Sequence, residues 1–275
     1  DYKNIVLDAS LKAKVLQGEL LSDNPELDLG MKFRLWSEAE GYKANLDGDI
    51  RNVDLKGLHF MPEDLAFSLG LNINAELNAD STSSLQAVFS DIVLRDLATR
   101  KLGNLNIGFT SLSDRTRLDV DAGDLELKFE GVGGGYALVD RFSAAGTLLT
   151  EQIGIHEFNM EKLNELFPDF QLSIEAGQEN LLNAYLKSNG IRFKRLDIGM
   201  GSENTDRFGL KSMIYGLDIE GIIIDSLSIN ATQKGGALRY GVDVWGAKDQ
   251  LEGLAQLTVE GSVEHDQVNV RVREH

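Results

Sequence analysis

The chain has no cysteine, only three prolines and no long apolar run. Each absence removes a class of protein. Without cysteine there is no disulfide framework and no thiolate metal site. A membrane-crossing helix needs roughly 18–20 consecutive apolar residues, so no span is expected here. Positive charge is also scarce: 27 Lys and Arg stand against 44 Asp and Glu, a formal net charge of −17. Phosphate contacts need a cationic surplus, so nucleic acid is excluded as a partner. The same imbalance favours solubility and disfavours adhesion to anionic membrane surfaces. The opening D-Y-K-N-I-V-L lacks the charged, apolar and small-residue order of a signal peptide. The chain is therefore read as a piece of a longer protein whose anchor lies outside it.

What is present is alternation. In L-A-F-S-L-G-L-N-I-N-A-E-L-N-A, Phe67, Leu69, Leu71, Ile73 and Leu77 share one parity, and Ser68, Asn72, Asn74 and Glu76 the other. Successive strand side chains point to opposite faces, so the segment has one dry and one wet side. The same period runs through Leu27, Leu29, Met31, Phe33 and Leu35, through Leu105, Ile107 and Phe109, and through Leu125, Leu127 and Phe129. It returns at Ile198, at Leu227 and Ile229, at Leu238, Tyr240, Val242 and Val244, and at Val268 and Val270. About twenty such segments predict an all-β fold.

Twenty-eight glycines against three prolines suit strands joined by tight turns. Asn24-Pro25, Asp47-Gly48, Asn189-Gly190 and Gly235-Gly236 are read as hairpin turns. Consecutive antiparallel pairing, a long meander, follows. Helical signals are few. Asn159 is placed to cap M-E-K-L-N-E-L-F, with Pro168 stopping it, and Pro62 with Glu63 and Asp64 starts at most one turn. The ambiguous E-N-L-L-N-A-Y-L-K-S-N is assigned to a hairpin because Asn-Gly follows it. At most one or two short helices are expected. Strand–turn–strand units beginning at Leu105, Leu196 and Leu227 echo one another, as in an array. The whole of 1–275 is taken as one continuous segment, and the helical stretch near 150–169 is the one candidate division.

Chemistry is harder to find. His59, His156, His265 and His275 fall at no metal-ligand spacing. The run Asp119–Glu126 lacks the layout of a calcium loop and is read as solvated carboxylates. G-V-G-G-G-Y at Gly131–Tyr136 matches neither nucleotide fingerprint and is read as a turn or bulge. Trp36 and Trp245 sit in strand patterns and are read as packing residues. No catalytic set, metal or cofactor is expected.

Three stretches carry a family resemblance. They are Y-K-N-I-V-L-D-A-S-L-K-A-K-V-L-Q-G-E-L-L-S-D-N-P-E-L-D-L-G-M-K-F, L-F-P-D-F-Q-L and L-K-S-N-G-I-R-F-K-R-L-D-I. Together they resemble repeats of TamB-like proteins of Bacteroidetes type, within the AsmA-like proteins of Gram-negative envelopes. The resemblance implies a periplasmic protein anchored in the inner membrane and curled into an open, taco-like β-sheet. Its apolar groove would conduct phospholipid acyl chains towards the outer membrane, with a TamA-like barrel as partner. No catalytic residues are implied. The apolar residues named above become groove lining, open enough that a carboxylate at Leu71 would reach water. Two other classes stay open: a scaffold that templates client barrel strands by β-augmentation, and a closed β-sandwich binding module of the envelope.

Overall fold

The structure is a computed structural model that describes residues 4–39, 41–62, 64–78, 80, 82–95, 99–155, 159–202, 208–234, 237–246, 256–264 and 267–274. Among the described residues eighteen strands pair antiparallel, mostly with their neighbours in the chain, as the alternation predicts. The chain divides into two compact units, Asp1–Ser113 with Leu118–Gly123, and Asp114–Arg117 with Asp124–His275.

The first unit holds β1 (Ile5–Lys12), β2 (Val15–Asn24), β3 (Leu27–Glu38), β4 (Gly41–Asp54), β5 (Ala66–Asn78), β6 (Ser83–Arg95), β7 (Thr99–Lys101) and β8 (Leu105–Ser111). The next strand, β9 (Arg115–Ala122), is divided between the units. Pairing follows chain order from β1 to β6, and β6 then takes both β7 and β8. Among its described residues this unit contains no helix.

The second unit begins with β10 (Leu125–Val132), then α1 (Gly135–Ile155), α2 (Met160–Leu166), β11 (Phe170–Ala176) and α3 (Leu181–Ser188). It continues through β12 (Ile191–Arg192), β13 (Arg195–Ser202), β14 (Phe208–Ile219), β15 (Ile222–Lys234), β16 (Ala237–Gly246), β17 (Gln256–Glu264) and β18 (Gln267–Glu274). β11 pairs with β10 and β13, and the short β12 pairs with β14.

Several local expectations need correction. Asp47-Gly48 is no turn: it lies in the middle of β4, with Asp47 opposite Lys32 and Gly48 opposite Met31. A Cβ at Gly48 would collide with the Gly30 carbonyl oxygen and approach Met31 Cα to 2.7 Å. Close approach, and not turn geometry, is what requires glycine there. Residues 181–188 form a helix and not a hairpin arm. Asn180 caps it by accepting from the Asn183 N–H at 2.8 Å, and Asn189-Gly190 closes it, with the Gly190 N–H donating to the Lys187 carbonyl at 3.2 Å. The glycines before Tyr136 lead into α1, so the described residues hold three helices and not one or two.

The other local readings fare differently. Pro25 and Glu26 turn between paired Asn24 and Leu27, as expected. Asn159 caps α2 as expected, accepting from the Lys162 N–H at 3.0 Å. Residues 55–59 turn before Pro62, and Glu63 lies outside the described residues. Gly235 and Gly236 also lie outside them, between paired Lys234 and Ala237.

Candidate functional site

Strand register decides where the dry faces run. In the first unit Leu20, Met31, Gly48, Leu71, Phe89 and Leu105 stand opposite one another from β2 to β8. The next row joins Phe33, Leu46, Ile73, Ala87 and Ile107, and the one beyond it Leu35, Ala44, Ala75, Leu85 and Phe109. Leu29 with Ile50 and Leu69, and Leu27 with Val53 and Phe67, extend the face in the other direction. Leu77 stands at its far end, opposite Tyr42. Six strands, β2 to β6 and β8, therefore share one apolar surface.

The opposite face is a polar lattice. Asn72 donates to Asp47 at 3.0 Å, Asn45 to Asn74 at 2.9 Å and Asn74 to Asn72 at 2.9 Å. Lys43 lies between Glu38 at 3.1 Å and Glu76 at 3.5 Å. Trp36 belongs to this wet side; its Nε1 donates to Glu38 at 3.0 Å and the Arg34 guanidinium lies 5.1 Å from its ring. Trp245 is exposed.

Burial along the dry face is graded. Leu71 is 8% exposed, and Leu29, Val53 and Ala87 are buried with it, whereas Leu77 is 45% exposed and Leu11 72%. Among the described residues no helix of this unit lies over them, yet the centre of the face is out of water. The expectation that a carboxylate at Leu71 would reach water is therefore corrected.

In the second unit Leu127, Ile174, Ile198, Ser212, Ile229 and Val242 form one row. Phe129, Leu172, Met200, Leu210, Ala231 and Tyr240 form the next. Leu227 pairs with Val244, Leu238 with Val263, and the edge strand β18 sets Val268 opposite Val263 and Val270 opposite Gly261.

Helices cover part of this face. Leu138 of α1 rests on Gly131 of β10, where an added Cβ would meet Leu138 Cδ1 at 2.7 Å. Phe142 of α1 lies 5.1 Å from Phe170, 6.2 Å from Phe129 and 6.3 Å from Phe167 between ring centroids. At the other end Ala176, Phe193 and Leu196 form a core against which Leu182 and Leu186 of α3, Leu125, Ile198 and Ile214 pack. Leu125, Phe129 and Ile198 thus contact protein. Ile229, Val242 and Tyr240 stand further along the rows.

One carboxylate of the run Asp119–Glu126, read from sequence as solvated, instead anchors α3. Asp124 accepts from the Glu179 N–H at 3.0 Å and from the Asn180 amide at 2.6 Å. Partial burial opposes its ionisation, but the hydrogen bonds from Glu179, Asn180 and Gln178 outweigh that effect and hold its pKa below the usual carboxylate value. The stabilisation is then present above the pKa of the unfolded carboxyl and lost as pH falls through the lower folded value. Asp124→Asn should cost about 1 kcal/mol at neutral pH. The gap from the parent should close in acid, which urea midpoints at the two pH values will check; a gap that ignores pH would contradict the anchor.

Among the described residues no cluster of three His, Cys, Asp or Glu is placed to hold a metal ion. His59 is exposed, while His156, His265 and His275 lie outside the described residues. Among the described residues, no helix is long and apolar enough to cross a membrane. No protein-family model, curated protein or solved structure matches the chain.

Proposed function

We propose that the chain is a periplasmic segment of a TamB-like bridge protein whose apolar faces conduct phospholipid acyl chains between inner and outer membranes. The observation that carries this reading is the first unit's apolar surface, continuous over six strands with no helix among that unit's described residues laid on it. Burial of apolar area is non-directional, so such a surface holds an acyl chain without fixing its position along the rows. The polar lattice on the other side keeps that face in water. The longer protein would be anchored in the inner membrane, and a TamA-like outer-membrane barrel would be its partner.

Mass spectrometry of lipid extracted from gently purified protein tests the reading. Phospholipid in near-stoichiometric amount is expected. Folded protein that carries none, and takes none from vesicles, would overturn it.

A further inference from the structure

We infer that Gln233 is a polar docking point on the second unit's apolar face, for an acyl chain that ends in a neutral group with a hydrogen-bond donor and acceptor side by side. A protonated carboxylic acid or a carboxamide has that chemistry. The inference rests on the acyl-chain reading above and goes beyond it, because its ligand is a free acid or amide and not the ester-linked chain of a phospholipid.

Gln233 lies on β15 in the parity of Ile229 and Ala231, directly opposite Leu238, which in turn faces Val263. Gly209 pairs with Thr232, which sets Phe208 beside Gln233 in register, and Phe208 lies 6.0 Å from Phe167. The amide is thus placed among apolar and aromatic neighbours. It is 2% exposed, and neither Oε1 nor Nε2 has a hydrogen-bond partner.

Other buried amides in this unit are treated differently. Gln152 donates to the Asn159 carbonyl at 3.2 Å and accepts from the Asn159 N–H at 3.0 Å. Asn180 pairs with Asp124 and Asn183, and Asn183 donates to the Phe193 carbonyl at 3.0 Å. A buried amide with both ends unpaired is costly, and leucine or methionine would fill similar space without that cost.

The two empty positions specify the ligand. Oε1 needs a donor and Nε2 needs an acceptor. An ester supplies acceptors only and would leave Oε1 unpaired. An ionised carboxylate lacks the donor and brings a charge into apolar surroundings. A neutral acid or carboxamide meets both atoms with two parallel hydrogen bonds, while its chain lies along the apolar rows. It reaches the amide by displacing the side chains that now cover it.

The test uses the whole chain, a solvatochromic apolar dye and three competitors of equal chain length: dodecanamide, methyl dodecanoate and dodecane. The parent should bind dodecanamide about tenfold more tightly than the ester, as the one added hydrogen bond to Oε1 allows. Gln233→Met and Gln233→Leu, made in parallel against a packing failure of either, should bind the amide and the ester alike. Their ligand-free melting temperatures should match or exceed the parent's, a result that an amide paired in solution would not give. Equal binding of amide and ester by the parent, or an amide preference that survives both substitutions, would overturn the docking point while leaving acyl binding intact. Failure of all three competitors to displace the dye would overturn the acyl-chain reading and the docking point together.

Discussion

Leu71→Asp is expected to unfold the first unit at markedly lower denaturant, with a loss on the order of 3–5 kcal/mol. Leu71 is 8% exposed, between Leu69 and Ile73 along its own strand and between Gly48 and Phe89 on the neighbouring ones. A carboxylate there gains no cation and loses its water. Leu77→Asp on the same strand and face is the control. Its site is 45% exposed, and the change should cost less than about 1 kcal/mol. Trp36 reports on the first unit once Trp245 is replaced by phenylalanine, because the chain has only these two tryptophans. Equal losses for the two aspartates would mean that burial along the face is not graded.

The second large effect is expected at Phe142. Its ring bridges Phe129, Phe167 and Phe170, which joins α1 to β10, to β11 and to the segment that leaves α2. Truncation to alanine removes those contacts and leaves a cavity, so Phe142→Ala should cost about 3–5 kcal/mol. With Trp36 replaced by phenylalanine, Trp245 reports on the second unit. A loss confined to α1, seen as faster amide exchange there with β10 and β11 still protected, would show that the helix is a separable cover. Loss of protection throughout would show that the aromatic cluster is part of the unit's core.

Strand parity was the legible part. The alternation of Leu27 to Leu35 and Phe67 to Leu77 placed these residues on one face, and the pairing of Leu29 with Ile50 and Leu46 with Ile73 confirms that placement. Turn chemistry was less reliable. Gly48 follows an aspartate, as in a type I′ turn, yet its flanks Leu46 and Ile50 keep strand parity on both sides. The backbone contact with Gly30 explains the glycine.

The helices were obscured for two reasons. Asn189-Gly190 is as good a helix end as a hairpin, and only the capping Asn180 tells them apart. Three adjacent glycines drew attention away from α1, although Leu138, Phe142, Ala145 and Gln152 recur at spacings of three, four and seven. Those residues, buried or half-buried, are the signal that would have found it. Gln233 was hidden because its strand parity says only that a polar residue stands in a dry row. The absence of any partner is visible only in three dimensions.

Photo-crosslinking by parity tests the apolar-face reading most directly. A photoreactive residue is placed at Leu46 or Ile73 on the dry face, and at Asn45 or Asn74 on the wet face of the same strands. The protein is then irradiated with radiolabelled phospholipid present. Crosslinks to phospholipid are expected from Leu46 and Ile73, and none above background from Asn45 and Asn74. Equal yields from both parities, or crosslinks from Ile73 to protein alone, would contradict the groove.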